Sequence, residues 1–264
     1  MNYGLYLSAS GVMVNAHRQD VLSNNLANVN TTGFRPQFSD VRQRPPERIE
    51  DQVADFGVSQ HMLERLGGGV YAGRHHTSFA AGAPVYSDRP LDAALTRGDS
   101  FFAVEQLDPN TGQPAIRLTR DGRFDVNAEG ELVTSSGHRV LDPNDRPIQI
   151  TAGASVEFGP QGQVIQKDNQ GVTIREDRLQ VAQADTARLQ HLGENLFEML
   201  DGDSRELVAA PTIKPRHYEA SGTNAVATMM QIVSATKAAT GNANMIKYHD
   251  LMMDQSINTF GRVA

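Results

Sequence analysis

Between Tyr3 and Val29 the apolar residues Leu5, Ala9, Val12, Met13, Ala16, Leu22, Leu26 and Val29 recur at three- and four-residue steps. That spacing gathers side chains on one face of a helix. The other end of the chain repeats more strictly. Ala225, Met229, Ile232, Thr236, Ala239, Ala243, Ile246, Asp250, Met253, Ile257 and Phe260 fall at alternating steps of four and three, a heptad seam broken clearly only by Asp250. No proline follows Pro215. A helix over Asn224–Phe260 is about 55 Å long at 1.5 Å per residue, too long to lie inside a compact domain of this size.

The middle changes period. Short apolar or alternating runs predict strands at Phe101–Glu105, Ile116–Thr119, Arg123–Val126, Glu131–Val133, Arg139–Leu141, Pro147–Ile150, Val156–Phe158 and Val164–Gln166. Turn signals separate them: Asp108-Pro109-Asn110, Asp121-Gly122, Glu129-Gly130, Ser136-Gly137, Asp142-Pro143-Asn144 and Gln161-Gly162. Strands this closely spaced imply antiparallel all-β structure. The stretch Arg42–Gly73 contains Pro45-Pro46 and Gly67-Gly68-Gly69 and reads as a linker, with a short helix expected at Ser59–Leu66. The expected fold class is therefore α+β. Residues 1–40 with 215–264 form a terminal-helix assembly domain, 41–79 a linker, 80–200 a central β-domain and 201–214 a return linker. The two helices, from opposite ends of the chain, are expected to pair as a coiled-coil-like stalk.

Composition narrows the chemistry. With 264 residues and 39% hydrophobic residues, the chain can bury a real core. Aromatics are 6% and tryptophan is absent, so an aliphatic core is expected. The net charge of −7 argues against nucleic acid, which needs a basic footprint. The absence of cysteine excludes disulfides and thiolate metal sites. The first sixteen residues carry no lysine or arginine, and polar residues interrupt their apolar ones, which is not a cleavable signal peptide. No apolar run approaches the roughly 18–20 residues of a membrane span, so no membrane insertion is expected.

The N-terminal helix ends in Asn24-Asn25-Leu26-Ala27-Asn28-Val29-Asn30-Thr31-Thr32-Gly33-Phe34. Three asparagines within five residues are poor helix material. Their short amides suit a helix packed between neighbours, where they fix register. Gly33 followed by Phe34 predicts a Schellman stop, with Gly33 left-handed and Phe34 folding back toward Val29.

This segment resembles the N-terminal signature of flagellar rod, hook and hook-associated axial proteins. Further blocks follow in the order that family shows. They are Pro90–Leu95 with Gly98 and Phe101–Val104, then Leu118–Phe124 with Gly130–Thr134, Gly137 and Val140-Leu141, then Leu192–Phe197. The family's Ser-Asn-Val-Asn-like segment before its C-terminal helix reads here Glu219-Ala220-Ser221-Gly222-Thr223-Asn224. The resemblance leaves proximal-rod-like and distal-rod-like subunits both open. It implies a structural, non-enzymatic subunit of the basal-body rod that needs no cofactor. Such a subunit is exported without a cleaved signal by the flagellar type III apparatus. In the periplasm it adds to itself and to other rod and hook axial proteins in a helical tube that transmits torque from motor to hook. The residues expected at its assembly interface are Asn24, Asn25, Leu26, Asn28, Val29, Gly33, Phe34, Met229, Ile232, Ile246, Met253 and Ile257. The alternative is a cell-wall-glycan-binding β-domain dimerised by its terminal helices.

Other chemistries fit less well. Asp125–Gly130 opens like a calcium loop, but its twelfth position is Ser136 where a bidentate glutamate is needed; a hairpin turn is expected. His75-His76 would face opposite sides of a strand and reads as a surface pair. Gly67-Gly68-Gly69 lacks the lysine of a phosphate loop. Asp99, Ser100 and His138 have no nucleophile-elbow frame around them.

Overall fold

A computed structural model describes residues 3–44, 68–108, 112–200 and 205–260. They fall into two compact units, each built from segments far apart in sequence. The first comprises residues 1–27, 37–76 and 224–264; the second comprises 28–36 and 77–223. The helix expected at Ser59–Leu66 lies outside the described residues.

The first unit holds two helices, α1 (Tyr3–Ala27) and α2 (Ala225–Phe260), and two paired strands, β1 (Gln37–Gln43) and β2 (Val70–Thr77). α2 starts where its sequence gives it a cap. The Asn224 carboxamide oxygen accepts from the Ala227 N–H at 3.1 Å, satisfying one of the donors that the first helical turn leaves open. α1 stops two residues before Val29. The expected Schellman stop does not form. Asn28 instead accepts from Thr31, backbone to backbone at 3.2 Å and side chain to side chain at 3.1 Å. Gly33 is left-handed, with φ 68°, but its N–H goes to the Glu219 carbonyl at 2.8 Å and not to a helix carbonyl. The asparagines' low propensity ends the helix before glycine is needed. A Cβ on Gly33 would stand 2.5 Å from the Arg120 carbonyl oxygen, so close backbone approach is a second reason for glycine here.

The second unit is all β. It opens with β3 (Pro84–Tyr86), β4 (Ala93–Leu95), β5 (Ser100–Leu107), β6 (Pro114–Thr119), β7 (Phe124–Val126), β8 (Leu132–Thr134) and β9 (Arg139–Val140). β10 (Ser155–Phe158), β11 (Gln163–Lys167), β12 (Thr173–Arg178), β13 (Val181–Gln183), β14 (Leu189–Gly193) and β15 (Leu196–Met199) follow. Three short strands end it: β16 (Glu206–Leu207), β17 (Ile213–Pro215) and β18 (His217–Glu219). The main sheet has nine strands, running β14-β15-β6-β5-β9-β8-β7, with β13 also paired to β5 and β16 to β13. β10, β11 and β12 form a separate antiparallel sheet. Pro147–Ile150, expected as a strand, contributes only isolated bridges at Pro147 and Gln149. The stretches expected as linkers carry β2, β16 and β17 in part or whole.

The core departs from the aliphatic expectation. Phe101, Phe102, Phe124, Phe158 and Phe197 are all buried. Phe124 meets Phe102 and Phe158 edge-to-face, with centroids 5.2 and 5.7 Å apart. A low aromatic count still supplies an aromatic centre when the rings are concentrated on inward strand positions.

Candidate assembly site

α1 and α2 lie side by side, and glycines reveal their register. A Cβ on Gly4 would stand 2.6 Å from the His249 ring, and one on Gly11 would stand 2.4 Å from the Asn242 amide. Seven residues forward along α1 match seven backward along α2, so the pair is antiparallel. The same register sets Leu7 level with Ile246, Val21 with Ile232 and Asn25 with Thr228.

Burial along α2 follows that pairing. Ala225, Thr228, Ile232, Ala235, Ala239, Asn242, Ile246 and His249 are its buried and half-buried residues, at alternating steps of three and four. Four of the eleven expected seam positions, Ala225, Ile232, Ala239 and Ile246, are among these half-buried residues. Four more are displaced by one residue, with Thr228, Ala235, Asn242 and His249 in place of Met229, Thr236, Ala243 and Asp250. Close approach explains the shift. Glycines on α1 let the helices pack tightly, and small or flat side chains occupy the facing positions. Several bulky residues are left outside. Met229, Met253 and Ile257 are exposed, Ile257 at 72%.

They are not alone there. Val226, Met230, Val233, Met245, Tyr248, Leu251 and Met252 are also exposed, and Lys237, Lys247, Asp250 and Asp254 are the only formal charges between Ala225 and Phe260. The polar residues on the helix look inward to its own backbone: Thr236 donates to the Ile232 carbonyl and Thr240 to the Thr236 carbonyl, each at 2.9 Å. By the register above, Tyr3 stands level with Asp250. α2 runs on through Leu251–Phe260, about 15 Å beyond the described start of α1.

The asparagine cluster divides. Asn24 lies on the exposed side. Asn25 is buried, and its amide is spent within the chain: Nδ2 donates to the Gln37 carbonyl at 2.7 Å, while Oδ1 accepts from the Gln37 N–H at 2.9 Å. Asn28 organises the turn described above, with Leu26 and Val29 half-buried beside it in sequence. Gly33 and Phe34 are buried in the β-unit, where the Phe34 carbonyl accepts from the Gly222 N–H at 2.9 Å.

The remaining candidate chemistry is taken up in structure. Asn127–Glu131 forms the β7–β8 hairpin turn, closed by Gly130 N–H to the Asn127 carbonyl at 3.1 Å. His75 sits 4.9 Å, centroid to centroid, from the ring of His17. Asp99 receives the Arg97 guanidinium at 3.2 and 3.1 Å, whereas His138 pairs with Glu194 at 3.1 Å. Among the described residues, no three acidic or histidine side chains could hold a metal ion, and no helix is long and apolar enough to cross a membrane.

Comparison with known proteins places the chain. Residues 5–35 match the family model described as flagella basal body rod protein. Residues 95–177 match that of the flagellar hook protein FlgE/F/G D1 domain. The chain is 30% identical to the flagellar basal-body rod protein FlgG of Caulobacter vibrioides, over 94% of this chain and 96% of the relative. It is 29% identical to the rod protein FlgF of Rhizobium meliloti, over 99% of both, and 27% identical to FlgG of Borreliella burgdorferi, over 96% and 97%.

Proposed function

The chain belongs to the flagellar basal-body rod protein family and is a structural subunit of the rod in the bacterial flagellar basal body; from that premise we propose that the outward face of α2 is what builds it into the axial tube. The observation that carries this reading is the exposed apolar face of α2. An isolated surface helix with so few charges is unfavourable in water. Covering one of its Met, Leu or Ile side chains contributes about 1.5–3 kcal/mol, and the gain repeats at every copy along a tube. Head-to-tail addition is a heterologous contact that need not close, and so makes filaments.

In the assembled tube the α1–α2 pair is a coiled-coil-like stalk, and its neighbours are copies of itself and other flagellar axial proteins. The chain reaches the periplasm through the flagellar type III apparatus, works without catalysis, and transmits torque from motor to hook. The glycan-binding alternative has no support. The groove between Val126–Gly130 and Ile150–Ala154 has no aromatic ring in its lining to stack on a sugar. Electron microscopy of the purified protein at high concentration tests the proposal. Tubes are expected; discrete closed oligomers contradict it.

A further inference from the structure

Two buried guanidiniums in the β-unit share one carboxylate. Arg35 Nη2 lies 2.9 Å from Glu219 Oε1, and Arg120 Nε and Nη2 lie 2.8 and 2.6 Å from Glu219 Oε2. All three side chains are 3% exposed or less. Arg120 Nη1 also donates to the carbonyls of Arg97, at 2.6 Å, and Ser100, and Arg35 Nη1 to that of Ala80. Glu219 is the only ion-pair partner of either arginine among the described residues. Burial pulls the Arg35 guanidinium down to about 10, with Glu219 opposing the fall and Arg120 adding to it.

Glu219 sits in a segment zippered along its length to residues 82–96. Thr96 N–H donates to the Thr212 carbonyl at 3.3 Å. β17 then pairs with β4, Ile213 opposite Leu95, and β18 pairs with β3, Glu219 opposite Pro84. Between them Arg216, left-handed at φ 55°, donates its N–H to the Asp92 carbonyl at 2.8 Å. Ile213 enters the main hydrophobic core. Beyond the zipper Glu219 Oε1 accepts from Gly82 N–H at 2.6 Å, and its backbone carbonyl holds Gly33.

We propose that residues 212–222 are a strap that closes the β-unit, with Glu219 as its latch: the unit is completed only when this carboxylate arrives to neutralise the Arg35–Arg120 pair. Without it the fold must bury two like charges with no ion-pair partner among the described residues and only the attraction of Asp99 on Arg120 to oppose their repulsion, which a low-dielectric interior disfavours strongly. The latch therefore couples Asn28–Pro36, Arg120 just after β6 and the strap into one closure. A chain whose strap has not been delivered keeps this corner of the unit open. The inference is independent of the tube proposal, since it concerns the free subunit.

The test is amide hydrogen exchange on the full-length chain, comparing Glu219→Gln and the double variant Arg35→Met/Glu219→Gln with the unsubstituted protein. Glu219→Gln leaves two buried positive charges; the double variant returns the site to a single net charge. In Glu219→Gln, exchange at Gly33, Gly82 and Gly222 is expected to accelerate about 100-fold or more, the scale of a broken buried ion pair. Val104 on β5 should stay protected. The double variant should recover at least about tenfold of that loss, a coupling that lost packing alone does not produce. If Glu219→Gln does not fold, a folded double variant supports the latch and an unfolded one contradicts it. Unchanged exchange at the three glycines, or a double variant no better than the single, overturns the proposal.

Discussion

Asn25 holds the backbone of Gln37 as a strand would. Its amide donates to the Gln37 carbonyl and accepts from the Gln37 N–H, a two-way bond between the last turns of α1 and the first residue of β1. A carboxamide can present one N–H and one C=O side by side as a strand's peptide does, so both polar atoms of this buried side chain are bonded within the chain.

Asn25→Ala strands both backbone groups of Gln37, at a cost of about 1–3 kcal/mol for an unsatisfied buried group. Asn25→Asp is expected to be no better, since a carboxylate accepts from the N–H but repels the carbonyl. Exchange of the Gln37 amide should accelerate in both variants while β5 stays protected. An unaffected Gln37 amide in Asn25→Ala contradicts the assignment.

The one-residue displacement of the α2 seam gives a phase test. Ala235 is buried and Thr236 exposed. Ala235→Leu should overpack the contact with α1 and cost about 1–3 kcal/mol, whereas Thr236→Leu should change monomer stability by less than about 0.5 kcal/mol. Ile246→Leu keeps the bulk and should be tolerated; Ile246→Asp should loosen the pair. Thermal unfolding followed by far-ultraviolet circular dichroism separates these outcomes, and reversed effects at 235 and 236 would restore the original phase.

Asp121 supplies a pH dependence. It is buried, with Oδ2 accepting from Ser135 at 2.5 Å and Oδ1 from the Arg123 N–H at 3.1 Å. Burial, with a smaller contribution from Asp92, raises its pKa above the ordinary carboxylate value. A pKa higher in the folded state means that the folded chain binds the proton more tightly. That stabilisation is complete below the unfolded pKa and is lost as pH rises through the folded one. Asp121→Asn should therefore match the unsubstituted protein in acid and gain on it toward neutral pH. Denaturant titrations between about pH 3.5 and 7 check this; a stability difference that falls with rising pH contradicts it.

Much of the architecture is legible along the chain because its signals are local. The heptad spacing marks the body of α2 though not its exact start; turn residues at 129–130, 136–137 and 161–162 mark the hairpins. What escapes is set by tertiary return. Nothing in the spacing of Asn25 says that Gln37 comes back to it, and Glu219 reads like any surface carboxylate until the strap carries it to Arg35 and Arg120. The inward face of α2 differs from the most apolar heptad at alternate positions for a related reason. Hydrophobicity favours Met229 over Thr228, but Thr228 is the one that stands level with buried Asn25 on the inner side of the pair. The family resemblance came from linear motifs, which survive such errors.

Two substitutions on the outward face of α2 test the central claim most directly. Met230 and Ile257 are exposed at 70% and 72%, so Met230→Asp and Ile257→Asp should leave the monomer's circular dichroism and melting unchanged. Polymer formation by both, measured by sedimentation and electron microscopy against protein concentration, should nevertheless require a concentration at least about tenfold higher, the equivalent of about 1.4 kcal/mol per contact. Tubes forming from both variants at the unsubstituted protein's concentration would show that this face does not build the rod.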